Sequence, residues 1–144
     1  MLRAGRVLSG ALLLGCVCLA GCGSNEPFAY VPVTGKVTYE DGSPIVADSV
    51  EVTFYSQSPP KDPKTHPRPG VCIVNKADGT FKDATSHKPG DGIVPGKHKV
   101  TVQTFDSTHM PTDVLPKEFT SPDTTPLEFD TTAGKPAEFK VKKK

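Results

Sequence analysis

Short runs of alternating apolar and polar residues, separated by turns rich in proline and glycine, most constrain the fold of this 144-residue chain. From Val33 to Tyr39 the odd positions are apolar or small and the even positions are polar, and Val50 to Tyr55 repeats the alternation. A period of two is typical of a strand with one buried face. No sustained 3.6-residue period with caps follows Cys22, so the sequence predicts little helix.

Five further segments carry the same pattern. They are Val71 to Asn75, Thr80 to Thr85, Lys97 to Phe105, a short strand at Leu127 and Phe129, and a last one with Ala137, Phe139 and Val141. Asp78-Gly79 provides a tight turn and predicts that the first two of these segments form a hairpin. Seven such strands predict an all-β fold, a seven-stranded antiparallel Greek-key sandwich, with a small barrel as the alternative architecture.

The first 21 residues have the pattern of an export signal. Arg3 and Arg6 form a basic head, an apolar run extends from Val7 to Leu19, and the small residues Ala20 and Gly21 follow. The apolar run has about 13 residues, whereas a helix that spans a bilayer needs roughly 20. Residues 1–21 are therefore predicted to be a cleaved signal peptide.

The end of this segment indicates the type of signal. Leu19-Ala20-Gly21-Cys22 resembles the lipobox of bacterial lipoproteins, which implies lipidation of Cys22 and cleavage between Gly21 and Cys22. Several buried acyl chains form a stable membrane anchor. The alternative is a soluble secreted protein. Leu13-Leu14-Gly15-Cys16 is a second, inferior lipobox match. Residues 22–30 are predicted to be a lipidated tether and residues 31–144 the domain.

Charge and cysteine usage limit the remaining classes. The net charge of +1, with both signs spread along the chain, offers no footprint for nucleic acid. Of the four cysteines, Cys72 alone remains unmodified after export and lipidation, so the mature domain has no intramolecular disulfide. Gly23 and Ser24 carry no retention charge beside Cys22, which favours an outer-membrane or surface location in the cell envelope.

Several motifs together carry a family resemblance. They are Val33-Thr34-Gly35-Lys36-Val37-Thr38-Tyr39, Asp41-Gly42-Ser43-Pro44-Ile45, Ala77-Asp78-Gly79-Thr80-Phe81 and Pro95-Gly96-Lys97-His98-Lys99-Val100-Thr101-Val102. In this order they resemble the carboxypeptidase regulatory-like (transthyretin-like) domain. The segments from Leu115 to Phe119 and from Ser121 to Leu127 resemble the tail of small transthyretin-like lipoproteins of planctomycete-type bacteria. The resemblance implies a prealbumin-like sandwich on the cell envelope.

The chain lacks the residues that two activities known on this fold require. The hydroxyisourate hydrolases end in a Tyr-Arg-Gly-Ser type tail, whereas this chain ends in lysines, and Arg68 is the one arginine of the mature chain. Adhesin domains that form an internal isopeptide bond need a core lysine, but Lys36 shares a polar face with Thr34 and Thr38.

No catalytic or metal constellation is evident in the sequence. None of the four histidines, His66, His87, His98 and His109, has the spacing of a metal site, and all four are predicted to be solvated. Cys72 is predicted to be a small buried residue because no partnered base accompanies it. We predict no catalytic residue, no metal site and no cofactor.

The sequence is therefore compatible with two binding roles. The first is a non-enzymatic lipoprotein that docks an envelope protein or helps to organise the surface. The alternative is a lipid-anchored carbohydrate-binding module, for which Tyr39, Tyr55, Phe105 and Phe119 are candidate stacking positions. The proline-rich loop from Ser56 to Gly70 is a candidate binding segment or a tolerated insertion. A sugar site needs an exposed aromatic ring, and a protein dock needs an apolar or edge-strand patch.

Overall fold

The structure, a computed structural model, describes residues 26–144, whose strands form two sheets joined by long turns and loops. The seven strands are β1 (Gly35–Tyr39), β2 (Ser49–Ser56), β3 (Gly70–Ile73), β4 (Thr80–Phe81), β5 (Lys97–Phe105), β6 (Glu128–Asp130) and β7 (Ala137–Val141). One sheet has three strands in the order β4-β1-β7, and the other has four in the order β3-β2-β5-β6. The predicted all-β class, strand number and low helix content are confirmed for these residues, whose helices are two short 3-10 segments, Lys117–Thr120 and Thr131–Ala133.

The longest strand pairing, with eight opposed residue pairs, joins β2 and β5, where the alternation of the sequence is clearest. The two strands pair antiparallel along their length, from Ser49 opposite Phe105 to Ser56 opposite His98. Val52 and Val102 lie opposite each other, and both are buried. The sequence pattern therefore predicted the approximate extent of these strands and their apolar face, while Thr53 and Thr101 on the opposite face are buried as well.

The expectation that every strand is antiparallel is wrong for one pair. The strands β1 and β7 run parallel, with Gly35 opposite Ala137 and Tyr39 opposite Val141. Tight turns enforce antiparallel pairing only between strands that they join. Thr38 and Lys140, which pair here, lie 102 positions apart in the sequence, so no turn fixes their direction.

The predicted hairpin is correct only in part. Its turn forms, since the Gly79 amide donates to the Asn75 carbonyl at 2.8 Å, and Gly79 has a φ of 76°, which a side chain disfavours. Beyond the turn, however, the two arms are joined only by isolated bridges, and β3 pairs with β2 whereas β4 pairs with β1. The chain thus passes from one sheet to the other at this turn.

Four turns share one hydrogen-bonding device. In each, an aspartate Oδ1 accepts hydrogen bonds from the backbone amide and the hydroxyl of the Ser or Thr two residues later, and the amide nitrogen lies 2.8 to 2.9 Å away. The aspartates are Asp41, Asp78, Asp106 and Asp130. These bonds lower the pKa of Asp78, Asp106 and Asp130 because they stabilise the carboxylate. The same local motif therefore fixes the turns after β1, β5 and β6 and the turn before β4.

Both sheets contribute to one buried cluster. The fully buried Phe54 ring of β2 lies 6.0 Å from the Phe81 ring and 6.1 Å from the Phe139 ring, both of which belong to the other sheet. Gly35 faces Phe81 because a Cβ at this glycine would lie 2.5 Å from the ring and 2.1 Å from the Ala137 carbonyl oxygen. The close approach of β1, β4 and β7 therefore requires a glycine at position 35.

The long connection from Asp106 to Pro126 packs against β5. Leu115 and Phe119 are buried in the same cluster. The Thr125 hydroxyl donates to the Val100 carbonyl at 2.5 Å, and the side-chain Nε2 of Gln103 donates to the Thr120 carbonyl at 3.2 Å. This segment, which the sequence presents as a loop, thus covers part of the four-stranded sheet.

Candidate functional site

The predicted lipid site lies outside the described residues. These predictions are the signal peptide of residues 1–21, cleavage between Gly21 and Cys22, and the lipid on Cys22. The described chain begins at Glu26, whose carboxylate lies 2.7 Å from the Lys88 ammonium and 3.3 Å from the His87 Nε2. Residues 26–144 contain no helix that could cross a bilayer.

The segment that follows Glu26 is attached to the domain. The Phe28 ring is buried beneath the Lys61 ammonium, which lies 5.2 Å from the ring centre. Val31 and Ile93 exchange two backbone hydrogen bonds of 2.8 and 2.9 Å. Residues 26–30 of the predicted tether are therefore held against the fold. The contacts that hold them are the ion pair of Glu26, the buried Phe28 ring and the bridge that Val31 forms just after the tether.

His98 corrects the prediction that all four histidines are solvated. It is 2% exposed, its Nδ1 lies 3.0 Å from the Gly96 carbonyl oxygen, and its ring meets the Phe54 ring edge-on at 6.1 Å. Burial lowers the pKa of His98 because it disfavours the charged imidazolium. The signal was present in the sequence, since His98 has the same parity as the buried Val100 and Val102.

The other three histidines do not converge on a common site. His66, His87 and His109 are exposed on separate loops. His66 lies 3.3 Å from the Pro63 carbonyl oxygen of its own loop, and His87 contacts Glu26. Across residues 26–144, no three His, Cys, Asp or Glu side chains are grouped in a way that could hold a metal ion.

Cys72 lies on β3 in the core, as the sequence predicts. Its side chain is buried opposite Val52. Burial, with a smaller effect of the Asp83 charge, raises the pKa of the Cys72 thiol to about 12. Because the thiolate is the nucleophile, this thiol is poorly suited to covalent chemistry at neutral pH.

None of the four candidate stacking aromatics is in the exposed class. Tyr39 and Phe119 are buried, whereas Tyr55 and Phe105 are half-buried. The large apolar side chains that are exposed among the described residues are aliphatic: Val46 at 81%, Ile73 at 61% and Met110 at 60%. Burial removes Tyr39 and Phe119 as stacking positions, and Tyr55 and Phe105 are only partly exposed.

Ile73 borders a groove of about 630 Å³ at the three-stranded sheet. The groove is lined by residues of β1, β4 and β7 and by the connection that follows β3, and its polar lining includes Lys36, Lys82 and Glu138. Lys36 is opposite both Thr80 and Glu138 in register, so these three side chains share the outer face. Lys36 is exposed there, away from the core position that an internal isopeptide bond needs.

Ile73 is a surface residue that was not predicted from the sequence. Cys72 and Val74 point into the core, and the alternation of the strand places the intervening Ile73 on the opposite face. The available signal was this parity, but a run of four apolar residues, Val71 to Val74, conceals it.

The proline-rich loop is exposed and internally hydrogen-bonded. Most of its residues between β2 and β3 are exposed. The Lys61 amide donates to the Thr65 carbonyl at 3.0 Å, and the Asp62 carboxylate accepts from the Lys64 amide at 2.8 Å. The Lys61 side chain, which lies over the Phe28 ring, links this loop to the N-terminal segment.

The chain was compared with family models, with curated proteins and with solved structures, and none of the three comparisons found a match.

Proposed function

We propose that this protein is a non-enzymatic bacterial cell-envelope lipoprotein, a lipid-anchored β-sandwich that acts as a binding or structural module. The lipobox-like sequence ending in Cys22 supports the anchor. The attachment of Glu26, Phe28 and Val31 supports a short connection, since residues 23–25 alone separate Cys22 from the first attached residue. Such a connection spans about 10 to 14 Å when extended, so the domain lies against the membrane surface.

The proposed architecture is a transthyretin-like sandwich that contains one parallel pair. It is supported by the shared cluster in which Phe54 of one sheet packs against Phe81 and Phe139 of the other. The order of motifs that resembles the carboxypeptidase regulatory-like domain, and the tail that resembles planctomycete-type lipoproteins, support the same assignment. The outer membrane or the cell surface is the proposed location.

One observation carries the choice of a protein partner over a sugar. Among the described residues the exposed large apolar side chains are aliphatic, and Ile73 lies beside a groove with charged residues on its walls. Aliphatic side chains at a charged groove suit a protein surface, whereas a sugar site needs an open aromatic face. The carbohydrate-binding alternative lacks this support because its four candidate rings are buried or half-buried.

The anchor is tested by membrane fractionation of the full chain in a bacterium that processes lipoproteins. We expect the wild type in the membrane fraction, with an intact mass that includes acyl chains, and Cys22→Ala without either property. Cys16→Ala is the matched control and should behave as the wild type does. If Cys22→Ala remains equally membrane-bound, the anchor is wrongly assigned.

The docking role is tested by cross-linking in intact cells that naturally make the protein. A recurrent protein partner that is captured by the wild type and lost with Ile73→Asp supports the groove as its site. Val46→Asp is the control, because Val46 is also exposed but lies outside this groove. Capture of envelope polysaccharide without a recurrent protein contradicts the proposal and supports the carbohydrate-binding alternative.

A further inference from the structure

The strand β7 is an edge strand with open backbone groups. It pairs with β1 on one side, and no described residue pairs with its other side. The Ala137 amide donates to the Thr34 carbonyl at 2.9 Å, and the Val141 carbonyl accepts from the Glu40 amide at 3.0 Å. In a parallel pair, every second residue of a strand bonds to the neighbouring strand, and here these are the odd-numbered residues of β7. The backbone amides and carbonyls of Glu138 and Lys140 therefore point to the open side.

The side chains of these two residues carry opposite charges on one face. Glu138 and Lys140 are exposed, whereas their neighbours in the strand are buried. Within residues 26–144, neither of them forms an ion pair. The Lys140 ammonium instead lies 3.0 Å from the Thr38 hydroxyl.

A second copy of the same strand complements this edge in one register. When two copies of β7 run antiparallel about a twofold axis at Phe139, Glu138 of each copy lies opposite Lys140 of the second copy. These are the residues with open backbone groups, so each opposed pair can exchange two hydrogen bonds. An axis at Glu138 sets two glutamates against each other, and an axis at Lys140 sets two lysines against each other, which is unfavourable.

We propose that β7 is a self-association edge through which two copies of this chain pair antiparallel about Phe139. The two three-stranded sheets then form one sheet of six strands, and the pairing closes as a symmetric dimer. The opposite edge of the sheet is β4, which has two residues, so it is too short to extend the dimer into a fibre. The pairing does not depend on the lipid anchor.

The strand has five residues, which makes the contact small. Stable protein interfaces bury about 800 Å² per partner. We therefore expect a reversible dimer whose population rises with protein concentration and whose affinity is sensitive to the two charge pairs.

Charge reversal with rescue tests the proposal. The full chain, as processed and purified from the producing bacterium, is analysed by sedimentation velocity over a concentration series. Glu138→Lys and Lys140→Glu should each weaken dimerisation about tenfold, because each reverses one member of both charge pairs. The double variant Glu138→Lys/Lys140→Glu should restore it. An equimolar mixture of the two single variants should form heterodimers in preference to homodimers, since every opposed pair is then of opposite charge.

Matched controls separate this effect from a change in net charge. Glu118→Lys and Lys64→Glu make the same charge changes at exposed sites outside β7 and should leave the dimer affinity unchanged. Equal thermal unfolding of all variants shows that each is folded. A monomer at every concentration, or single variants that dimerise as the wild type does, overturns the proposal, and so does a double variant that fails to recover.

Disulfide trapping tests the register independently of the charges. In the double variant Glu138→Cys/Lys140→Cys, the opposed Cα atoms of the two copies lie about 5.5 Å apart, within the range of a disulfide. We expect a covalent dimer on mild oxidation. Glu138→Cys alone places the two cysteines diagonally across the axis, beyond this range, and should form no disulfide-linked dimer. Trapping of the single variant to the same extent contradicts the register.

Discussion

Removal of the Phe54 ring is the most informative perturbation of the fold. Phe54 is fully buried, and its ring lies 6.0 Å from Phe81 and 6.1 Å from Phe139 across the two sheets, and 5.7 Å from Phe129. Replacement of a buried phenylalanine with alanine costs 3 to 5 kcal/mol through lost burial and the cavity that remains. Because Phe54 contacts both sheets, we expect Phe54→Ala to lower the free energy of unfolding by about 4 kcal/mol.

This loss is large compared with the 5 to 15 kcal/mol that stabilises a typical domain. For a domain of this size it corresponds to a decrease of about 15 °C in the melting temperature. The assay is urea unfolding followed by circular dichroism, with thermal unfolding in parallel. Tyr55→Ala is the control, since Tyr55 is the next residue of β2, is half-buried on the opposite face and should cost less than half as much.

A double-mutant cycle identifies the contact between the sheets. Phe54→Leu and Phe139→Leu are combined, because leucine retains much of the volume and removes the aromatic contact. An aromatic pair contributes about 0.5 to 1.5 kcal/mol beyond its burial, so the two losses should fail to add by about this amount. Additive losses, together with a cost of Phe54→Ala below about 1.5 kcal/mol, would refute the reasoning that one core joins the two sheets.

Two further predictions concern β1 and β5. Gly35→Ala should lower stability by at least about 2 kcal/mol in urea unfolding, since the new Cβ would lie 2.1 Å from the Ala137 carbonyl oxygen; an unchanged midpoint contradicts this. Burial lowers the pKa of His98, so the unfolded state binds a proton at a higher pH than the folded state does. The free energy of unfolding should therefore be highest above the ordinary pKa of 6.5 and decrease as the pH falls below it. His98→Gln should remove this part of the loss between pH 7.5 and pH 5, and an equal loss in both proteins contradicts the assignment.

The central strands β2 and β5 and their apolar faces were determined by the sequence alone. The predicted segment Lys97 to Phe105 coincides with β5, and Val100 and Val102 point into the core as the alternation requires. The Asp-Gly turn at Asp78 was also predicted. These features depend on residues that are close in the sequence, because the period of two and the turn motifs act within a few residues. For the same reason the buried Cys72 was predicted correctly.

The tertiary structure decided which strands pair and which faces are covered. The parallel pairing of β1 with β7 joins segments that no turn connects, so neither its direction nor the open edge at Glu138 and Lys140 follows from the local pattern. His98 is buried because the core extends to the start of β5, where its ring meets Phe54. Ile73 is exposed because the outer face of β3 is uncovered there. Local alternation defines two faces for each strand, whereas burial depends on which distant segment packs against each face.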